Sequence, residues 1–135
     1  MTAVRKLKPE RQYTYLDYLT WTDDDERWEI IEGVPYMMAP APMRKHQSIS
    51  MQLSIEFGNY LKGKSCEVYS APFDVRFIDE SEVEVDATTV VQPDISVICD
   101  DDKLDDKGCI GAPDLIIEIL SEGTSKKDRF EKFYL

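Results

Sequence analysis

Two apolar stretches carry the clearest signal for the fold: VVQPDISVIC, residues 90–99, and PDLIIEIL, residues 113–120. Each predicts a β-strand, because each is a short apolar run bounded by polar or turn-forming residues. The second run is apolar throughout apart from its carboxylates, a pattern typical of a central strand covered on both faces. Asp94 and Glu118 are therefore carboxylates within predicted strands.

A carboxylate in the middle of a buried strand loses its hydration, which costs several kcal/mol unless a cation or hydrogen-bond donors compensate. If Asp94 and Glu118 converge on one point, they form an all-oxygen site, which favours Mg²⁺, Mn²⁺ or Ca²⁺ over zinc. A divalent ion held there could activate water and stabilise charge on a scissile phosphate. The alternative stays open that an arginine, a lysine or backbone N–H groups satisfy each carboxylate without any catalysis.

The rest of the chain predicts a short helix, a hairpin, a long helix and further strands. Thr14 and Asp17 form a capping-box pattern at the start of the short helix. The hairpin turns near Glu32-Gly33, and Pro35 places its second strand at a sheet edge. The remaining predicted elements are a helix from about Lys45 to Leu61 ended by Gly63, strands over 67–69 and 73–78, and a helix from Lys126 onward. This order indicates an α/β or α+β fold with a mixed sheet.

Asp114, beside Pro113, is expected to begin the strand that carries Glu118 rather than to bind a metal. In a strand, alternate residues face the same way, so Asp114 and Glu118 would share a face with Ile116 and Leu120.

The composition fits one globular domain, with 135 residues, 42% of them apolar and 32% charged. The net charge of −11 is unfavourable for a protein that binds nucleic acid, because such proteins neutralise phosphates with lysine and arginine. No apolar stretch is long enough to span a membrane, and no secretory signal is visible, so the cytoplasm is the expected compartment. The three cysteines show no CxxC spacing and are expected to be free thiols.

Several ordered motifs resemble the Uma-type endonuclease family of the PD-(D/E)XK restriction-endonuclease-like superfamily. The likeness spans about Tyr13 to Leu135. The motifs are YTYLDYL (13–19), ERWEIIEGVPYMMAPAP (26–42), RKHQSIS (44–50), APFDVRF (71–77), VVQPDISVICD (90–100) and KGCIGAPDLIIEILSEGTSKKDRFEKF (107–133).

The resemblance implies a restriction-endonuclease-like core, with a central mixed β-sheet flanked by helices, and phosphodiester hydrolysis that depends on Mg²⁺ or Mn²⁺. It assigns Asp94 to the motif aspartate, Glu118 to the motif glutamate and Glu29 to an upstream acidic residue. The domain would span residues 13–135 after a flexible basic segment, residues 1–12. Because the family continues with a further strand, the domain is expected to be incomplete at its C-terminus.

The superfamily has a lysine two residues after the glutamate, where it orients the attacking water, but this chain has Leu120. Lys132, in the family's DxxxK pattern with Asp128, is the candidate replacement. Lys126 and Lys127 are alternatives, and Lys132 could equally be a solvated helix residue.

His46, the only histidine, is similar to a recurring helix histidine of the family. It is expected either to contact phosphate or shuttle protons, or to make a structural contact at the helix N-terminus. The expected function is a Mg²⁺-dependent endonuclease that acts on DNA, with a homodimer expected by analogy. The alternatives are a catalytically inactive binding or oligomerisation module with a nuclease fold, and a metal-dependent hydrolase of a small phosphorylated substrate.

Overall fold

The first helix, α1 (Tyr15–Leu19), begins at a capping box in the computed structural model. The Thr14 side chain accepts a hydrogen bond from the Asp17 N–H, and the Asp17 carboxylate accepts one from the Thr14 N–H at 3.0 Å. The start predicted from these two residues is confirmed. The structure describes residues 11–21, 27–38, 43–78, 83 and 86–120.

A β-hairpin follows, formed by β1 (Trp28–Ile31) and β2 (Val34–Met37). Its two turn residues, Glu32 and Gly33, have φ angles of 49° and 81°, the left-handed conformation that a tight two-residue hairpin turn requires. Strand β2, which contains Pro35, lies at the edge of its sheet. The predicted hairpin, its turn and its edge position are all confirmed.

The long helix, α2 (Arg44–Leu61), matches the predicted helical segment, and Gly63 follows it with a φ of 78°. The helix packs against β3 (Glu67–Ser70), and a Cβ added at Gly58 would contact Val68. None of the side chains of α2 is fully buried. The helix therefore covers its sheet with a half-buried face.

Within the described ranges, eight strands form two sheets. The larger sheet has the order β2-β1-β5-β4-β7 and is mixed, because β4 and β7 are parallel whereas its other pairs are antiparallel. The smaller sheet has the order β3-β6-β8 and is antiparallel throughout. The strands not yet given are β4 (Asp74–Phe77), β5 (Thr89–Val91), β6 (Ile95–Ile98), β7 (Gly108–Ile110) and β8 (Leu115–Ile117). A short 3-10 helix spans Asp101–Lys103. The expectation of a mixed α+β fold is confirmed.

The two sheets share an apolar core. Its buried members are Ile31, Phe73, Val75, Val91, Ile98 and Cys109. Ile98 belongs to β6 of the smaller sheet, whereas Val75 and Val91 belong to the larger one. Burial of apolar side chains from both sheets fixes the smaller sheet against the larger one.

The prediction of a single strand over residues 90–99 is wrong. Strand β5 ends at Val91, β6 begins at Ile95, and the two belong to different sheets. Pro93 has no N–H with which to continue a ladder of hydrogen bonds, so the strand is interrupted there. The segment Gln92-Pro93-Asp94 instead crosses from one sheet to the other, which places Asp94 directly before β6.

The run over residues 113–120 forms a shorter strand than predicted. Strand β8 covers three of these residues, and in the described part of the chain it lies at the edge of the smaller sheet. Leu115 is 43% exposed and Ile116 is 39% exposed, so the predicted central strand covered on both faces is wrong for the described ranges. Asp114 precedes the strand, as expected, and its N–H donates to the Val97 carbonyl at 2.9 Å.

Cys66 and Cys99 form a disulfide, so the expectation that they are free thiols is wrong. Strands β3 and β6 are antiparallel with Glu67 opposite Ile98, and the two cysteines are the next residues outward on each strand. The bond joins positions separated by 33 in sequence, which no local spacing reveals. Cys109 is free and buried, as expected.

Two predicted elements fall on residues outside the described ranges: the basic segment, up to residue 10, and the helix from Lys126 that contains Lys132. In the ranges that are described, the helices lack the length and apolar character needed to cross a bilayer.

Candidate active site

Asp94 lies at the crossover between the two sheets, with its side chain 17% exposed. Its Oδ2 accepts a hydrogen bond from the Ile119 N–H at 2.7 Å, and its Oδ1 lies 3.1 Å from His46 Nε2. Its backbone carbonyl accepts from the Ala71 N–H at 2.9 Å. The carboxylate is therefore held in one orientation and still reaches solvent.

Glu118 directly follows β8, just as Asp94 directly precedes β6. Strands β6 and β8 are antiparallel and their ladder ends at the pair Ile95 and Ile117, so Asp94 and Glu118 are the next residues outward on each strand. Glu118 is half-buried and makes interactions of its own. The strand register thus carries the two acidic residues predicted from the sequence to the same end of the smaller sheet.

Glu29, the third acidic residue predicted for the site, lies on β1 and is fully buried. Its Oε2 accepts a hydrogen bond from the Gln92 N–H at 2.7 Å. Because Gln92 precedes Asp94 by two residues, Glu29 anchors the crossover on the side of the larger sheet. Its predicted catalytic role stays a prediction.

The Gln92 side chain is the centre of a polar cluster behind the crossover. Its Oε1 accepts from Arg27 Nη2 at 2.6 Å and from Arg27 Nε at 3.1 Å. Its Nε2 donates to Asp74 Oδ1 at 3.0 Å and to the Tyr18 hydroxyl oxygen. The cluster ties the segment before Asp94 to α1, β1 and β4.

Two phenols of α1 complete this cluster. The hydroxyls of Tyr15 and Tyr18 donate to the Asp74 carboxylate at 3.0 and 2.9 Å. Burial first, and then the charge of Asp74, raises the pKa of both phenols above its ordinary value. Both tyrosines therefore remain neutral donors at neutral pH, and their role here is to hold Asp74.

This cluster was not predicted from the sequence. The signals for it were a polar residue directly before Pro93-Asp94 and two tyrosines three residues apart, which lie on the same face of a helix.

Arg76 is a fully buried cation on β4. Its Nη2 donates to Asp105 Oδ1 at 2.7 Å, its Nε donates to the Cys109 carbonyl at 3.3 Å, and its guanidinium lies 5.1 Å from the centre of the Tyr15 ring. Because these contacts engage the Arg76 guanidinium, its positive charge has a structural role.

The basic residues predicted for the site are not among the described residues. Lys126, Lys127 and Lys132 lie beyond residue 120, where the description ends. Leu120, which stands in the lysine position of the superfamily motif, is 43% exposed. The described ranges also contain no cluster of three or more His, Cys, Asp or Glu side chains that could hold a metal ion.

His46 lies in the first turn of α2, with its side chain 24% exposed. Its Nε2 faces Asp94, whereas its Nδ1 is buried and has no hydrogen-bond partner in the described structure. The contact with Asp94 was not expected from the sequence, because it depends on how α2 packs on the smaller sheet. The predicted contact of His46 with phosphate stays a prediction.

Comparison with known proteins finds similarity to a family model, to a protein sequence and to a solved structure. The Uma2 family model, described as "Putative restriction endonuclease", matches residues 15–135. The uncharacterized protein slr1290 of Synechocystis sp. PCC 6803 is 31% identical over 131 residues, which cover 96% of this chain and 62% of the relative. The crystal structure of a putative nuclease belonging to DUF820 from Anabaena variabilis matches with a TM-score of 0.62 and 24% identity, over 85% of this chain and 62% of that one.

The structural match confirms the predicted restriction-endonuclease-like fold. The chain spans less than two thirds of the length of both relatives.

Proposed function

The chain belongs to the Uma2 family, and on that premise we propose that it is a metal-dependent nuclease that hydrolyses phosphodiester bonds in DNA. The observation that carries the proposal is that Asp94 and Glu118 adjoin the last residue pair of two antiparallel strands, at the same end of the smaller sheet. The family description and the name of the structural relative support the same class of reaction.

The donor set of Asp94 and Glu118 fits Mg²⁺ or Mn²⁺. Both are hard divalent cations that prefer oxygen, and Mg²⁺ is commonly bound through one or two carboxylates while waters complete its shell. An ionised carboxylate offers about four lone-pair positions. Asp94 can therefore accept the hydrogen bond from Ile119, contact His46 and still bind a cation.

A divalent ion bound there would supply Lewis-acid stabilisation for the negative charge that develops on the phosphate during hydrolysis. The protein contributes orientation. The Ile119 N–H holds Oδ2 of Asp94, and Glu29 fixes the backbone of Gln92 two residues earlier. A fixed carboxylate matters because a misplacement of about 1 Å in a reacting group can cost roughly 100-fold in rate.

In the proposed reaction, a water oxygen attacks phosphorus and the bond from phosphorus to the leaving oxygen breaks. The proton that the water loses to solvent is balanced by the proton that the leaving oxygen takes up, so that one water is consumed for each bond cleaved. We assign the orientation of this water, or the screening of charge, to Lys132. The assignment follows from the family's DxxxK pattern and from Leu120 in the usual lysine position.

Leu120 also favours a second candidate, a binding or oligomerisation module that keeps the nuclease fold without catalysis. The net charge of −11 supports it, because a DNA-binding surface gains affinity from cations. An acidic surface is better suited to a small phosphorylated substrate than to DNA, which makes the hydrolysis of such a substrate a third outcome to test.

The test is cleavage of supercoiled plasmid by the full chain with Mg²⁺ or Mn²⁺. We expect nicking or linearisation by the wild type, and rates lower by roughly 100-fold or more for Asp94→Asn and Glu118→Gln, which keep the side-chain size and remove the charge. Asp106→Asn removes an exposed carboxylate elsewhere and is the matched control.

Cleavage that survives in both site variants would contradict the site assignment. Metal binding without cleavage of DNA would favour the inactive module, or the small-substrate hydrolase if phosphomonoesters are hydrolysed.

A further inference from the structure

We propose that His46 is a positioning residue that holds the Asp94 carboxylate for metal binding through the contact of its Nε2 with Asp94 Oδ1. The inference rests on the proposed function, because it assigns to His46 an effect on the ion that Asp94 and Glu118 would bind.

The first support is that two different groups contact the two oxygens of the Asp94 carboxylate. Oδ1 lies 3.1 Å from His46 Nε2, and Oδ2 accepts from the Ile119 N–H at 2.7 Å. One contact comes from α2 and the other from the segment after β8. Because each oxygen is contacted from a different direction, the two contacts together restrain rotation of the carboxylate about its Cβ–Cγ bond.

The second support is that Asp94 is the one polar partner of the His46 ring among the described residues. The Nδ1 of His46 is buried without a hydrogen-bond partner in the described structure. Within that part of the chain, the contact with Asp94 is therefore the polar contact that orients the ring.

The third support is chemical. Groups that hydrogen-bond to a metal-ligating side chain orient it, and their loss typically lowers metal affinity by about 10-fold to 100-fold. His46 is in a position to orient Asp94 in this way, since it contacts one oxygen of the carboxylate and leaves further lone pairs for a cation. Its effect is therefore expected on metal affinity before any effect on DNA.

The experiment is a calorimetric titration of Mn²⁺ into the full chain at neutral pH, for the wild type and for His46→Gln, His46→Asn and His46→Ala. The amide nitrogen of glutamine reaches about as far from the backbone as histidine Nε2, whereas that of asparagine reaches only as far as Nδ1. We expect a dissociation constant close to wild type for glutamine, and one raised about tenfold or more for asparagine and alanine. Gln47→Ala, an exposed neighbour on α2, is the control and is expected to bind Mn²⁺ as the wild type does.

Each of four other results would overturn the inference. Unchanged Mn²⁺ affinity in His46→Ala and His46→Asn would overturn the inference and leave the proposed function standing. No Mn²⁺ binding by the wild type would overturn both. If the variants keep Mn²⁺ affinity but bind DNA more weakly without metal, His46 contacts phosphate and the positioning role is wrong. Circular dichroism checks folding, and loss of the fold in all three variants would make His46 a structural residue and would also overturn the inference.

Discussion

The Ile119 N–H donates a hydrogen bond to Asp94 Oδ2 at 2.7 Å. The Asp94 side chain thus provides the acceptor for a backbone N–H just beyond the last residue pair of β6 and β8. The last ladder pair is Ile95 with Ile117. The separation of Asp94 and Glu118 therefore depends on the register of these two strands. A slip of one residue would turn one carboxylate to the opposite face of the sheet.

Glu29→Gln and Glu29→Ala separate anchoring from catalysis. Glu29 Oε2 accepts the Gln92 N–H inside the protein. Alanine removes that acceptor, so we expect the free energy of unfolding in urea to fall by about 1–3 kcal/mol, whereas glutamine keeps an acceptor oxygen and loses less. Plasmid cleavage by Glu29→Gln is expected to stay close to the wild-type rate. A glutamine variant of wild-type stability that no longer cleaves would instead support the catalytic role predicted from the sequence.

Asp105 is expected to make stability depend on pH in the acid range. Burial raises the pKa of its carboxyl, but the hydrogen bond and charge of Arg76 and the N–H groups of Lys107 and Gly108 outweigh burial and hold the pKa below its ordinary value. A lowered pKa in the folded state means that the charged form stabilises the fold. This contribution is complete above the unfolded pKa of about 3.9 and is lost as the pH falls through the folded value.

Asp105→Asn is therefore expected to be less stable than the wild type at neutral pH, because the buried Arg76 loses its anionic partner. The difference in the free energy of unfolding between the wild type and Asp105→Asn should shrink as the pH falls below about 4. Urea unfolding at several pH values measures it, with Asp106→Asn as the control. If the difference in the free energy of unfolding stays constant down to the lowest pH measured, the charge of Asp105 is not the cause of the lower stability.

Thiol titration tests the cysteine assignment. Burial raises the pKa of the Cys109 thiol to about 11, and Cys66 and Cys99 are bonded to each other. We expect no thiol to react in the native protein, one to react after denaturation without reductant, and all three cysteines to react after denaturation with reductant. Three reactive thiols in the denatured protein without reductant would contradict the disulfide.

The same disulfide is expected to stabilise the fold. Replacing Cys66 and Cys99 together with serine removes a covalent link across 33 positions and should lower the free energy of unfolding by about 3 kcal/mol. Urea unfolding of the wild type and the double variant, both without reductant, measures the effect. Equal stability of the two proteins would contradict a stabilising role.

The elements that were predicted correctly are those that a few neighbouring residues in the sequence determine. The capping box at Thr14, the turn at Glu32-Gly33 and the helix ended by Gly63 each depend on a few neighbouring residues. The prediction of a single strand over 90–99 was wrong because it gave more weight to the apolar run than to Pro93, which interrupts the strand. The edge position of β8 depends on which strands pair, and neighbouring residues carry little information about that.

The candidate site was predictable in part. Asp94 and Glu118 stand out because carboxylates are costly in apolar strands, and the strand register carries both to the same end of the smaller sheet. The contacts of Asp94 with His46 and Ile119 were not predictable, because they depend on the packing of α2 and on a backbone N–H. The buried position of Glu29 was missed for a similar reason, since its partner is the main chain of Gln92.

Calorimetric titration of Mn²⁺ into the wild type, Asp94→Asn and Glu118→Gln tests whether these two carboxylates form a metal site. We expect the wild type to bind Mn²⁺ and each variant to bind it at least about tenfold more weakly, with thermal unfolding showing that all three proteins are folded. No binding by the wild type, or equal binding by all three proteins, would contradict the proposed site.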